Sequence, residues 1–127
     1  MEKTSAFQDG ILIYFETSIK SQEFAQFLSE LLEDEIRFGI INWLAHKKIN
    51  NLIVLKNIYV PIDSRNQKIG KYLIENFLKN HSNEKILTVV DNLESRAEGF
   101  NLEQWYIKYD FAPTGFKTLS GPIFIRA

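Results

Sequence analysis

One segment constrains this chain more than any other. Leu52-Ile53-Val54-Leu55-Lys56-Asn57-Ile58-Tyr59-Val60 begins apolar at every position, so it cannot keep one face in water. That pattern predicts a central strand covered on both sides. Pro61 ends it, because proline has no N–H to donate to a ladder. After a polar stretch, Gly70, Leu73, Ile74, Phe77 and Leu78 recur at i, i+3, i+4, i+7 and i+8. They predict a helix ending near Asn80-His81-Ser82-Asn83. Ile86-Leu87-Thr88-Val89-Val90 is a second buried strand. Strand, helix and strand in this order imply parallel pairing through a right-handed crossover.

The flanks are read the same way. Ile11 to Phe15 after Gly10 is a strand. Ser18 or Ser21 caps a helix carrying Phe24, Phe27, Leu28, Leu31 and Leu32 on one face, with Glu30, Glu33, Asp34 and Glu35 solvated. Ile36 to His46 either extends that helix or forms a strand; Gly39 tips the reading toward a strand ending in the Lys47–Asn51 turn. Leu102, Trp105, Tyr106 and Tyr109 mark a short helix, and Phe111 to Phe116 and Pro122 to Ile125 are closing strands. The expectation is α/β, with residues 1–127 forming one domain.

Composition removes several functions. Fifteen Lys and Arg against sixteen Asp and Glu leave no overall attraction to nucleic acid or anionic membrane. With no Cys there is no disulfide, thiolate ligand or Cys nucleophile. No His/Asp/Glu spacing resembles a metal motif, so no metal is expected. The polar start, Met1 to Gly10, lacks a signal-peptide core, and no apolar run approaches the ~20 residues that span a bilayer. A soluble, cytoplasmic protein is expected.

The loop joining the central strand to its helix carries the chemistry. The first N–H groups of a helix lack partners, and the helix dipole adds partial positive charge there, which makes such an end an anion site. Arg65, Lys68 and Lys71 flank it; Arg forks onto phosphate and Lys adds a point charge. Gly70 would let a ligand or a neighbouring element approach the backbone. On charge and spacing alone, an ordinary turn with solvated lysines explains the loop better than an anion site does. Neither G-x-x-x-x-G-K-[ST] nor G-x-G-x-x-G is present.

Asn57-Ile58-Tyr59-Val60-Pro61, then Arg65-Asn66-Gln67-Lys68-Ile69-Gly70 and Leu73, resembles the acetyl-coenzyme A signature of the GNAT superfamily of N-acetyltransferases. There a strand ending in Val and Pro precedes [Gln/Arg]-x-x-Gly-x-[Gly/Ala]. Arg65 and Gly70 match its ends, and Lys68 stands at the middle Gly. Leu102, Trp105, Tyr106 and Phe111 fall at the offsets of a later family pattern, with Asp110 where Gly is usual. The resemblance spans Asn51 to Ala127; the first fifty residues match only loosely.

The resemblance implies a GNAT-like fold: a mixed, twisted sheet flanked by helices, with a central parallel pair opening a cleft. It also implies acetyl-coenzyme A as the cosubstrate and an amine, on a small molecule or a protein, as the acceptor. By the same likeness, Arg65, Asn66, Gln67, Lys68, Ile69, Gly70 and Lys71 would hold the pyrophosphate. Backbone N–H groups near Ile58, Tyr59 and Val60 would hold the acetyl carbonyl and pantetheine, and Asn101 would add a polar contact, a place Asn92 and Ser95 also approach. Tyr106 would protonate the departing thiolate; as a residue alone it reads first as a core tyrosine beside Trp105. No general base is apparent, since the strand Leu52–Val60 has no Glu; Glu16, Asp91, Glu94 and His46 lack positional support. A GNAT-fold binding module without catalysis is the competing class, and a toxin-like acyltransferase on charged tRNA is disfavoured by the charge balance. An exposed edge strand, such as the one closing the chain, would permit a homodimer.

Overall fold

A computed structural model describes residues 1–61, 68–92 and 100–127. The element order is β1 (Lys3–Phe7), β2 (Gly10–Ser18), α1 (Gln22–Leu31), α2 (Asp34–His46), β3 (Asn51–Tyr59), α3 (Ile69–Asn80), β4 (Ile86–Val89), α4 (Leu102–Lys108), β5 (Ala112–Lys117) and β6 (Pro122–Arg126). The strands form one six-stranded mixed sheet in the order β1-β2-β3-β4-β6-β5. The chain is therefore α/β. Among the described residues, no helix is long and apolar enough to cross a membrane.

The apolar run at Leu52 does what its composition requires. β3 lies inside the sheet, and Leu52, Ile53, Val54 and Leu55 are all buried. Ile53 and Leu55 face a cluster with Leu12, Leu73, Phe77, Ile86, Tyr106 and Phe124, beneath α3 and α4. Leu52 and Val54 face the opposite cluster with Phe15, Phe24, Leu28, Ile40, Leu44 and Ile123, beneath α1 and α2. The crossover through α3 returns β4 parallel to β3, with Ile53, Val54 and Leu55 opposite Ile86, Leu87 and Thr88. Of the two candidate caps, Ser21 is the one that starts α1, its hydroxyl accepting from the Phe24 N–H at 3.0 Å.

Two expectations are corrected, for Ile36–His46 and for the closing strand. Ile36–His46 lies in a helix, α2, rather than a strand. Ile40 and Leu44, one turn apart, are its buried residues, while Ile36 and Phe38 are 39% and 66% exposed. Those exposed apolar residues blurred the helical period. Gly39 is no break: a Cβ there would lie 3.3 Å from the Phe116 ring, so glycine admits that ring against the helix. Asp34 and Glu35 in the first turn complement the helix dipole, and Asp34 also pairs with Arg37.

The polar start contributes an edge strand. Lys3–Phe7 pairs antiparallel with β2, from Lys3 opposite Tyr14 to Phe7 opposite Gly10. It carries little apolar pattern because it is an edge strand with mostly exposed residues. Lys3 forms an ion pair with Glu16 on the neighbouring β2, and Glu2 with Lys56 on β3, the kind of charge that blunts an edge. Finally, the closing strand is not an edge. β6 sits between β4 and β5, so the edges are β1 and β5. A homodimer through the last strand has no free edge to use.

Candidate functional site

The residues expected to form a site around the strand-to-helix loop lie at the end of β3, at the start of α3 and on α4. Arg65, Asn66 and Gln67 lie outside the described residues, as do Glu94 and Ser95. The loop's two ends are described.

At the upstream end, the parallel ladder stops early. β4 partners β3 as far as Leu55, but β3 runs on through Lys56, Asn57 and Ile58 to Tyr59. On its other side β3 stays paired with β2, where Ile13 faces Asn57 and Tyr14 faces Leu55. Lys56 is thus an extra residue, a β-bulge at the level where the β4 ladder ends. Bulges bend a strand and sharpen its twist. The Thr88 hydroxyl, buried, donates to the Leu55 carbonyl at 3.0 Å and marks the last contact of the parallel pair. Beyond it, Ile58 and Val60 pack partly against the α3 core, and Tyr59 is 50% exposed.

At the downstream end, α3 begins with Lys68 as its N-cap, and the Lys68 carbonyl accepts the first helical bond from the Tyr72 N–H at 3.1 Å. Lys68 has φ 59° and ψ 27°, a left-handed conformation. Glycine accepts this backbone shape most readily. Lys68 and Lys71 are exposed. Ile69 is fully buried, so its side chain makes no ligand contact. Among the described residues, a Cβ at Gly70 would meet only Val60 Cγ2, at an ordinary 3.8 Å. Close packing falls instead on Gly10, where a Cβ would lie 2.5 Å from Ile69 Cγ2 and 2.8 Å from Leu73 Cδ1, so β2 presses on the start of α3.

The left-handed backbone at Lys68 makes a stability prediction. Lys68→Gly should keep or gain stability, by up to ~1 kcal/mol, because relief of the left-handed penalty offsets the entropy of glycine. Lys68→Val should lose more than ~1 kcal/mol, because a β-branched residue resists positive φ. Urea unfolding of both variants is the check; equal midpoints would mean that the turn is not left-handed in solution.

The third part of the site is α4. Tyr106 is buried, 5% exposed, with ring centroids 5.2 Å from Trp105 and 5.1 Å from Phe111. It joins the same core cluster as Ile53, Leu55 and Leu73. The helix ends in a left-handed residue: Asp110 has φ 70°, and the Phe111 N–H donates to the Tyr106 carbonyl at 3.2 Å. Arg126 Nε donates to the Tyr109 carbonyl at 2.9 Å, and Tyr109 Oη donates to Glu75 on α3 at 3.3 Å. Burial, then the adjacent Glu75 carboxylate, holds the Tyr109 phenol above its ordinary pKa. These contacts lock α4 to α3 and β6.

Asn101 is the N-cap of α4; its side-chain oxygen accepts from the Gln104 N–H at 3.1 Å, so its conformation is set by helix capping. Among the suggested bases, Glu16 is remote. On β2 it stands opposite Ile53 of β3, whereas Ile11 stands opposite Tyr59, about 17 Å away along β2 at ~3.3 Å per residue. Its carboxylate accepts from Lys3 Nζ at 2.9 Å. His46 is exposed at the last residue of α2.

No protein-family model matches this sequence, and no curated protein matches it significantly.

Proposed function

We propose that this chain is an acetyl-coenzyme A-dependent N-acetyltransferase with a GNAT-like fold. The observation that carries the reading is the early end of the β3–β4 ladder at Leu55 and Thr88, with β3 bulged at Lys56 and continuing into the loop before α3. A parallel pair that separates above a helix N-terminus supplies both things the cosubstrate needs: strand backbone for pantetheine and helix N–H groups for pyrophosphate. The left-handed backbone at Lys68 and Asp110, both at positions where the family pattern has glycine, supports the same reading.

In the reaction, a neutral amine on a small molecule or a protein attacks the thioester carbonyl carbon. The tetrahedral oxyanion is stabilised by backbone N–H groups near Ile58, Tyr59 and Val60. The C–S bond then breaks and the sulfur leaves as thiolate. Tyr106 Oη donates a proton to that thiolate, and the amine proton passes to water, since β3 carries no carboxylate. Arg65, Asn66, Gln67, Lys68, Ile69, Gly70 and Lys71 grip the pyrophosphate, and Asn101 lies at the edge of the cosubstrate site.

Acetyl-coenzyme A at a hundredfold over its dissociation constant should stabilise the chain by ~2.7 kcal/mol in a thermal shift. No shift at saturating ligand rejects the proposal. Arg65→Ala should weaken coenzyme A at least about tenfold, as expected for one forked charged contact, yet leave a pantetheine fragment without pyrophosphate nearly unchanged. An unchanged ratio removes the phosphate assignment. Tyr106→Phe keeps the ring that fills the core, so binding and folding should persist while thiol release slows. A coenzyme A-binding module with little catalysis is the second reading, favoured by the burial of Tyr106 and the engagement of Glu16 with Lys3. It predicts the same thermal shift and no thiol release across a panel of amines.

A further inference from the structure

The end of the sheet opposite the loop brings together three donors that lie far apart in sequence. Glu16 comes from β2, His81 is the C-cap of α3, and Glu84 lies in the connection to β4. One ligand atom from each lies within 4.8 Å of the others. We propose that Glu16, His81 and Glu84 bind a divalent transition-metal ion of the zinc class, which clips β2 to the α3–β4 connection.

Several features favour a built site over a chance grouping. The His81 ring is held, not free to swing: its centroid is 4.9 Å from Phe77 and 5.3 Å from Tyr14. Its Nδ1 lies 3.2 Å from Glu84 Oε1. Two ligands on a tetrahedral metal at ~2.0–2.1 Å sit about 3.4 Å apart, so this pair is already at ligand spacing. Glu16 closes the rest by rotating an exposed side chain. The site also opens onto a cleft of about 650 Å³ lined by Glu16, Asn50, Asn51, Asn83, Glu84 and Lys85, which gives a route for the ion and room for water at a fourth position. An imidazole with two carboxylates suits zinc-class ions, whereas calcium takes six to eight oxygens.

One group already occupies part of this charge. Lys3 Nζ donates to Glu16 at 2.9 Å, and this hydrogen bond is the main reason the Glu16 carboxyl is held below its ordinary pKa. In the apo protein Lys3 plays the part of a cation, so an incoming ion must compete with it. That competition gives the proposal a signature that unspecific surface binding lacks.

The experiment is titration of the full chain with ZnCl2 and, as a spectroscopic probe, CoCl2. Melting temperature should rise with zinc, and cobalt should give the visible bands of a low-coordinate site. Glu84→Gln, at an exposed residue that leaves the core intact, and His81→Ala should each weaken cobalt binding by at least about tenfold. Lys3→Ala should tighten it. Absence of any zinc-dependent shift overturns the proposal, as does equal binding by Glu84→Gln and the parent chain, a preference for magnesium or calcium, or weaker binding in Lys3→Ala. Because the site lies at the other end of β2 from the coenzyme loop, these outcomes are independent of acetyl-coenzyme A binding.

Discussion

Replacing Gly121 with alanine is expected to cost at least ~3 kcal/mol of folding stability, a large share of the ~5–15 kcal/mol typical of a domain. Gly121 lies in the turn between β5 and β6. An added Cβ would fall 1.8 Å from the Val90 carbonyl oxygen and 3.1 Å from its carbon. Both are backbone atoms, so no side chain can swing aside. Moving the turn instead would strain the bonds that hold it, Val90 N–H to the Pro122 carbonyl and Asn92 N–H to the Ser120 carbonyl, each 2.8 Å. The turn is also tied internally: Thr118 Oγ1 accepts from the Ser120 and Gly121 N–H groups and donates to the Gly121 carbonyl at 3.0 Å. Relief would therefore pull β6 from β4 along Ile123 to Arg126. A melting temperature lower by more than ~10 °C is the expected reading. A loss below ~1 kcal/mol would show that β6 does not approach Val90 this closely.

Phe77→Ala should cost ~3–5 kcal/mol, through lost burial and the cavity left behind. Phe77 is 2% exposed on the inner face of α3, 5.0 Å ring to ring from Tyr14 and 4.9 Å from His81. It joins the helix to β2 and braces the imidazole at the proposed metal site. Tyr72 on the same helix is the contrast. It is 55% exposed and touches Phe7 at a centroid distance of 5.1 Å, so Tyr72→Ala should cost under ~1 kcal/mol. Similar denaturation midpoints for the two variants would mean that α3 does not present this face to the sheet.

The parts of the fold behind these expectations differ in how openly the sequence displays them. The Leu52–Leu55 run, the stripe from Gly70 to Leu78 and the Ile86–Val90 run were legible because burial alone decides them. Where partners decide, local pattern failed. α2 hides its period because Ile36 and Phe38 are apolar yet exposed, and because Gly39 serves the Phe116 ring rather than a chain break. β1 is polar because an edge strand needs hydrogen bonds from one neighbour and little burial. The inner place of β6 comes from pairing with β4, which no residue of β6 announces.

The candidate sites divide in the same way. Order and spacing along the chain brought Ile58–Val60, Lys68–Lys71 and Tyr106 under consideration, because a strand feeding a helix leaves N–H groups pointing one way whatever surrounds it. Two features had no local signal, the ladder ending at Leu55 and the left-handed Lys68; the burial of Tyr106 was one of its two readings and was decided by the docking of its helix. Each depends on how far β4 runs beside β3 and on where α4 docks. The grouping of Glu16, His81 and Glu84 lies further still from anything spacing could reveal, since sixty-five residues separate its first two members and only the return of α3 across β2 makes them neighbours. Which segments must be buried, and in what order they occur, is written in the chain itself, because hydrophobic burial is read residue by residue. Which polar groups meet is settled only on folding, because their contacts are made across strands and helices that the chain visits at different times.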